Sequence, residues 1–304
     1  MRGSEFHELR VFEAVCRLRS FTRAGQALLI SASAVSQILR QLEERLGIQL
    51  LHRTTRSVAP TDAGARLYAR LLPALSDLDA ALESVNADRE RPTGTMRLHV
   101  PRIAYAMHIE PVLAAFHARC PEVVLDITID DAIVDIVQQG FDIGVRLGEL
   151  LEADMVAIAL GAPLRQKTVA APSYLGGRKA PEHPRDLLEH ACINWRQTGS
   201  DGLYKWEYEK QDQRIAVAVR GPLVFNDRAA GLNAAVQGIG IAMSAEPRVD
   251  ELIRSQQLVE LLVDWTPAFP GFYLYYPRQR SMLAATRAFI DLLSETVRRP
   301  APTR

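Results

Sequence analysis

Residues 20–46 read SFTRAGQALLISASAVSQILRQLEERL. The stretch predicts two short helices joined by a tight turn, the second with opposite chemistry on opposite faces. At about 100° per residue, Val35, Leu39, Leu42 and Leu46 fall together on one side. Ser33, Ser36, Gln37 and Arg40 fall on the other. Small hydroxyls, an amide and a guanidinium on one exposed face suit a helix that lies in a DNA major groove. They permit close approach and can exchange hydrogen bonds with base edges and phosphates. Ser20 is placed to N-cap the first helix and Ser31 the second, each hydroxyl accepting from an orphan amide of the first turn. The pattern predicts a helix-turn-helix.

Working outward, Phe6, Leu9, Phe12 and Val15 mark an amphipathic helix before the pair. After Gly47, IQLLHRTTRSVAPT gives two short β-like runs around residues 53–56, read as a hairpin or wing. Arg53 and Arg56 would reach DNA backbone or minor groove from it. Thr61 is placed to cap a long helix to about residue 88, in which Pro73 removes one backbone bond. Its apolar positions Leu71, Leu75, Leu78, Leu82 and Val85 follow steps of four, three, four and three. We read this narrow seam as a dimerisation surface, in preference to packing on its own domain.

The 304 residues suffice for two or three packed units, and 48% apolar with 24% charged residues argues against wholesale disorder. No apolar run is long enough to span a bilayer, and no signal-peptide core opens the chain. Residues 1–5 are given no weight, since MRGSEF resembles an expression scar. Cys16, Cys120 and Cys192 are scattered, with no CxxC, which fits buried thiols in a reducing cytoplasm. Net charge is zero but uneven: residues 1–66 hold 10 Arg against 6 acidic residues, and the remainder is acidic by the same margin. A basic end on an acidic body suits phosphate contact at that end.

The polar, Pro- and Gly-bearing RERPTG at 89–94 marks a domain boundary. Beyond it strand and helix patterns alternate, as in a mostly parallel, doubly wound α/β sheet. TMRLHV reads as a strand and Pro111 as the start of a helix to about Arg119. VVLDITID, DAIVDIVQQG and FDIGVRLG follow as strand, helix and strand. The pattern restarts with KTVAA, a short helix in PRDLLEH, ACINW, a hairpin of LYKWEYE with RIAVAV, PLVF, a helix over 228–237 and GIGIAM. LVELL, FYLYY and an amphipathic helix over about 281–297 close the chain. The expected domains are 1–62 (winged helix-turn-helix), 63–92 (linker helix and hinge) and 93–304 (effector binding). The last comprises lobe I, about 93–162 and 266–304, and lobe II, about 163–265.

The run RVFEAVCRLRSFTRAGQALLISASAVSQILRQLEERLGIQLLHRTTRSVAPTDAG resembles the N-terminal domain of LysR-type transcriptional regulators. DIVQQGFDIGVRLGE, DMVAIALG and DWTPAFPGFYLYYP resemble the family's effector domain, particularly its CrgA-like branch. The resemblance implies a winged helix-turn-helix, a dimerising linker helix and a regulatory domain like a type-2 periplasmic binding protein. It also implies partners: inverted-repeat double-stranded promoter DNA, a small-molecule effector, further copies of the chain in a homodimer or homotetramer, and RNA polymerase. Ser33, Ser36 and Arg40 match the family's DNA-facing positions and Arg53 its wing; with Thr22, Arg23, Ser31, Gln37 and Arg56 they form our candidate DNA-binding set. Ala32, Gln37 and Gly25 depart from the commoner residues, and Gly25 costs about 1 kcal/mol of helix propensity against alanine.

Effector contacts are expected at strand ends facing a cleft between the lobes. The candidates are Pro101, Arg102, Asp130, Asp131 and Arg146, with Trp195, Arg196, Asn226 and Asp227 from the second lobe. Arg102 or Arg146 would clamp a carboxylate and Trp195 would stack on a planar group. The structural alternatives are Arg146 as a partner of Asp142, Trp195 as core and Asp227 as a helix N-cap. The seven histidines show no HExxH or other compact metal spacing, and there is no GxSxG turn or P-loop, so no cofactor, metal or catalytic residue is expected. The reading is a cytoplasmic transcription regulator answering to an anionic or aromatic metabolite. The alternatives are a solute-binding protein or an enzyme using the same cleft, with the N-terminal domain serving association only.

Overall fold

A computed structural model describes residues 3–53, 58–85, 92–148, 154–199, 202–245, 247–266, 268–278 and 282–298. Its first core forms where α1 (Gly3–Leu18), α2 (Phe21–Leu28) and α3 (Ala32–Leu46) meet, burying Phe12, Val15, Ala24, Val35, Leu39 and Leu42. Ser20 Oγ accepts from the Arg23 amide at 3.3 Å and Ser31 Oγ from the Ala34 amide at 3.1 Å, so both caps form. Leu29, at φ 58°, ends α2, and the Ile30 amide returns to the Gly25 carbonyl at 2.9 Å. A Cβ on Gly25 would stand 2.6 Å from the Ile30 carbonyl oxygen. The close turn, rather than helix propensity, therefore accounts for that glycine. Leu46, expected on the apolar side, is exposed because α3 runs one turn beyond its buried row, which ends at Leu42.

Glu43 joins α3 to the hairpin that follows. Its Oε1 accepts from the amides of Leu50 (2.8 Å) and Leu51 (3.1 Å). The antiparallel strands β1 (Leu51–Arg53) and β2 (Val58–Pro60) then pair Leu51 with Pro60 and Arg53 with Val58. Thr61 Oγ1 accepts from the Gly64 amide at 3.0 Å and opens α4 (Asp62–Val85). Leu71 and Leu75 of α4 are buried in the same core as Phe12 and Leu39, whereas Leu78 is exposed. The first two positions of the seam are thus used inside the subunit; the side chains of Leu82 and Val85 lie outside the described residues.

The chain divides into two compact units, Met1–Glu90 with Asp135–Asp142 and Gln279–Ala284, and Arg91–Val134 with Ile143–Arg278 and Ala285–Arg304. The second unit carries a five-stranded sheet in the order Glu122–Ile129, Thr93–Val100, Ile143–Leu147, Phe272–Pro277, Met155–Leu160. The first three strands and Met155–Leu160 run in one direction, and Phe272–Pro277 is antiparallel to both its neighbours, so the sheet is parallel but for one reversed strand. A late segment of the chain sits between two early strands and completes their sheet.

Two helix assignments change. After the first strand, helical structure begins at Arg102, not near Pro111. It continues through a π-turn (Tyr105–Ile109) and a 3-10 turn (Glu110–Val112) into Leu113–Arg119. The wide π-turn precedes the proline, whose missing N–H and bulky ring a regular α-helix would not accommodate. No helix forms over residues 131–140. Asp135 Oδ1 accepts from the amides of Val137 (2.9 Å) and Gln138 (3.0 Å), and Gly140, at φ 70°, ends that single turn.

The rest of the second unit holds an antiparallel sheet with Lys167–Ala170 between Ala242–Ser244 and Val259–Leu261. Beside it are the hairpin Trp206–Lys210 with Gln213–Val217, the parallel pair Asn194–Trp195 with Val224–Phe225, and the helix Arg228–Val236. The final helix, Ala284–Arg298, sets Phe289 edge-on to Phe116 at 5.0 Å between ring centroids.

Candidate DNA interface and ligand cavity

With Val35, Leu39 and Leu42 buried, α3 turns Ser33, Gln37 and Arg40 outward, and Ser36 is half-buried beside them. Ser31 and Ser33 are linked, Oγ to Oγ, at 2.9 Å, so the capping hydroxyl also orients its neighbour. Thr22 and Arg23 are exposed on the first turn of α2. Neither Arg23 nor Arg40 has an ion-pair partner among the described residues. Arg45, by contrast, is tied back to α1 by Glu8 at 2.5 Å. The Arg53 backbone ends β1; its side chain, and all of Arg56, lie outside the described residues.

The second unit encloses a cavity of about 120 Å³. Of the candidates, Pro101, Arg102, Asp131, Arg146 and Trp195 line it. Asp130, Arg196, Asn226 and Asp227 do not. Asp130 Oδ1 is held by the Ala132 amide at 3.1 Å, and Asp227 is the N-cap of Arg228–Val236, accepting from the Ala230 amide at 3.0 Å. Arg196 and Asn226 are exposed. The walls also bring in residues not expected from sequence: His99, Arg228, Gln197, Phe272 and Tyr275, with Ile103, Ile133, Val134, Val145 and Leu147 supplying apolar surface.

The charged groups are already held. Asp131 receives the Arg102 amide at 3.0 Å and its guanidinium at 2.9 Å, so Arg102 is neutralised rather than presented as an open clamp. Arg102 Nε also stands 3.9 Å from Asp227, and Gln197 Nε2 donates to the Asp131 carbonyl at 3.4 Å. Both contacts lie at the cavity. The buried Arg146 guanidinium lies 4.0 Å from the Tyr275 ring centroid and donates to its hydroxyl and to the Val134 carbonyl (3.0 Å). Arg228 stacks at 3.8 Å on Trp195, whose buried Nε1–H has no acceptor among the described residues. His99 is 3% exposed, and burial pushes its pKa below the usual value, with Arg146 acting in the same direction and Asp130 against it. Arginine side chains on a largely apolar wall favour a small ligand with an apolar body and an acceptor or anionic end.

Among the described residues, no group of His, Cys, Asp and Glu is arranged to hold a metal, and no helix is long and apolar enough to cross a membrane. Burial pushes the thiols of Cys16 and Cys192 up to about 12 and raises that of Cys120.

Comparison with known proteins places both halves. Residues 6–65 match the bacterial regulatory helix-turn-helix of the lysR family, and residues 89–298 match the LysR substrate binding domain. A putative transcriptional regulator of Pseudomonas aeruginosa is 39% identical over 294 residues, 95% of each chain. The HTH-type transcriptional regulator PgrR of Escherichia coli is 37% identical over 96% of this chain and 98% of its own. The structure of CrgA, a LysR-type transcriptional regulator from Neisseria meningitidis, aligns with a TM-score of 0.59 at 27% identity, over 96% of this chain and 99% of that one. The exposed row of α3, the hairpin behind it and the cavity-bearing α/β unit are therefore the parts of one known design, and the chain belongs to the LysR family of transcriptional regulators.

Proposed function

We propose that this regulator binds inverted-repeat double-stranded DNA as a homo-oligomer and changes its arrangement there when a small anionic molecule with an apolar body enters the cavity. The observation that carries the ligand reading is the lining itself, in which Arg146 and Arg228 stand beside the Arg102–Asp131 pair against apolar walls. On the DNA side, Ser33, Gln37 and Arg40 enter the major groove, and Thr22, Arg23 and Arg53 contact flanking backbone. Such a protein works in the cytoplasm, where it meets DNA and RNA polymerase. The cavity serves sensing, its polar groups acting as ion pairs and cation stacks. For switching, the effector must bind one arrangement of the subunits better than the other.

The test uses the full-length chain and the DNA upstream of its own gene. A gel shift should prefer that sequence over a scrambled duplex and weaken steeply between low and moderate salt. Calorimetric titration with small carboxylates, amines and neutral compounds should give heats with carboxylates, and a binding compound should alter the shift. Binding of cations or neutral compounds alone would sink the anionic ligand. A shift without sequence preference would sink the operator reading.

A further inference from the structure

A second concavity, of about 690 Å³, runs between the 3-10 helix Pro184–Glu189 and the strand Gln213–Val217. This strand pairs only with Trp206–Lys210 among the described residues, so its other edge carries no strand. The hairpin turns through Gln211 and Asp212, both at positive φ (51° and 63°), a two-residue loop whose flanking pair, Lys210 and Gln213, exchanges both backbone hydrogen bonds. Pairing then alternates along an antiparallel ladder. Ile215 and Val217 bond inward to Tyr208 and Trp206, while Arg214 and Ala216 turn their N–H and C=O groups toward the open edge.

The groove's chemistry is mixed in a particular way. Leu188, 56% exposed, and Ala216 give it an apolar lining, and Arg185, Arg214 and Arg220 supply its positive charge. Arg214 pairs with Glu209 at 2.9 Å, whereas Arg185 and Arg220 have no ion-pair partner among the described residues. Blunting an exposed edge against aggregation needs a charge on the strand, which Arg214 supplies. Arg185 and Arg220 lie off the strand, and protection gives them no role. No aromatic ring lines the groove to stack a base, which disfavours single-stranded nucleic acid.

We propose that this groove docks an extended acidic segment of a partner protein, which adds as a third strand. Its backbone pairs with Arg214 and Ala216, an apolar side chain rests on Leu188, and carboxylates meet Arg185 and Arg220. The proposal is independent of the effector cavity.

The test measures fluorescence anisotropy of a labelled heptapeptide of alternating Glu and Val against the full-length protein, with a Lys/Val peptide and a DNA duplex as comparisons. The acidic peptide alone should bind, and its presence should slow hydrogen exchange at the Arg214 and Ala216 amides. Arg185→Glu with Arg220→Glu should weaken binding by about tenfold or more, since two attractive contacts become repulsive. Ala216→Pro, which deletes an outward N–H without touching the inner ladder, should also weaken it while operator binding persists. If Ala216→Pro does not fold, the exchange measurement on the unaltered protein decides. Unchanged exchange at Arg214 and Ala216, or full binding by Ala216→Pro, would overturn strand addition. Tighter binding of the duplex at this face, lost with the two arginines, would overturn the acidic peptide in favour of nucleic acid.

Discussion

Truncating Leu75 to alanine separates two roles for the apolar row of α4. Leu75 is 6% exposed and shares a core with Phe12 and Leu39. Leu-to-Ala changes at such sites cost about 2–5 kcal/mol, depending on how far the cavity closes. At the margin of this core, where neighbours can relax, about 3 kcal/mol is expected. Leu78, 39% exposed, should cost less when truncated, about 1 kcal/mol, because far more of its surface than of Leu75's already meets water in the folded subunit. The readout is native-state hydrogen exchange of α1 and α3 amides, followed by mass spectrometry, with light scattering for oligomeric state. Leu75→Ala should raise the opening equilibrium of those helices roughly a hundredfold, and Leu78→Ala should change it far less. If Leu75→Ala left α1 and α3 exchange intact but halved the molar mass, Leu75 would belong to a subunit interface and the packing argument would fail.

Three further outcomes follow from the geometry. Arg40→Ala should weaken binding to all duplexes and flatten the salt dependence by about one counterion if it meets a phosphate, whereas Gln37→Ala should cost about 1–3 kcal/mol of discrimination at one base pair; gel shifts at graded salt on point-mutated operators tell the two apart, and equal effects of both changes on every sequence would contradict the base-reading role of Gln37. His99 and His108 are both held below the usual 6.5 by burial, so the unfolded chain takes up protons that the folded unit refuses. Stability should be level above about pH 7 and fall as pH drops through 6.5, with a shallower fall in His99→Gln; urea midpoints that rise on acidification would refute this. Cys16 and Cys192, with thiols pushed up to about 12 by burial, should resist iodoacetamide at pH 8 in the native protein and react on adding denaturant; rapid native alkylation at either would show that its burial is not maintained.

Local chemistry made the N-terminal part legible. Ser20, Ser31 and Thr61 each act on an amide three residues ahead, so their role is written in short sequence windows. The buried row Val35, Leu39 and Leu42 follows from helical periodicity alone. Legibility faded where distant segments meet. The strand-end rule found Pro101, Arg102, Asp131 and Arg146 because each ends or follows a strand. It missed Tyr275 and Phe272, whose strand enters the sheet from the far end of the chain, and it stopped one residue short of Arg228. The predicted helix over 131–140 failed because the Asp135 carboxylate captures two amides ahead of it, a choice that periodicity does not register.

By itself the sequence determined the recognition helix, its caps, the hairpin behind it and the alternation of an α/β unit, since these depend on neighbours within a few residues. Only the tertiary structure decided that Leu71 and Leu75 serve their own core, that Arg102 is neutralised by Asp131, and that Arg228 rests on Trp195. Those outcomes are competitions between partners many residues apart, and burial and distance settle them only once the chain has closed on itself.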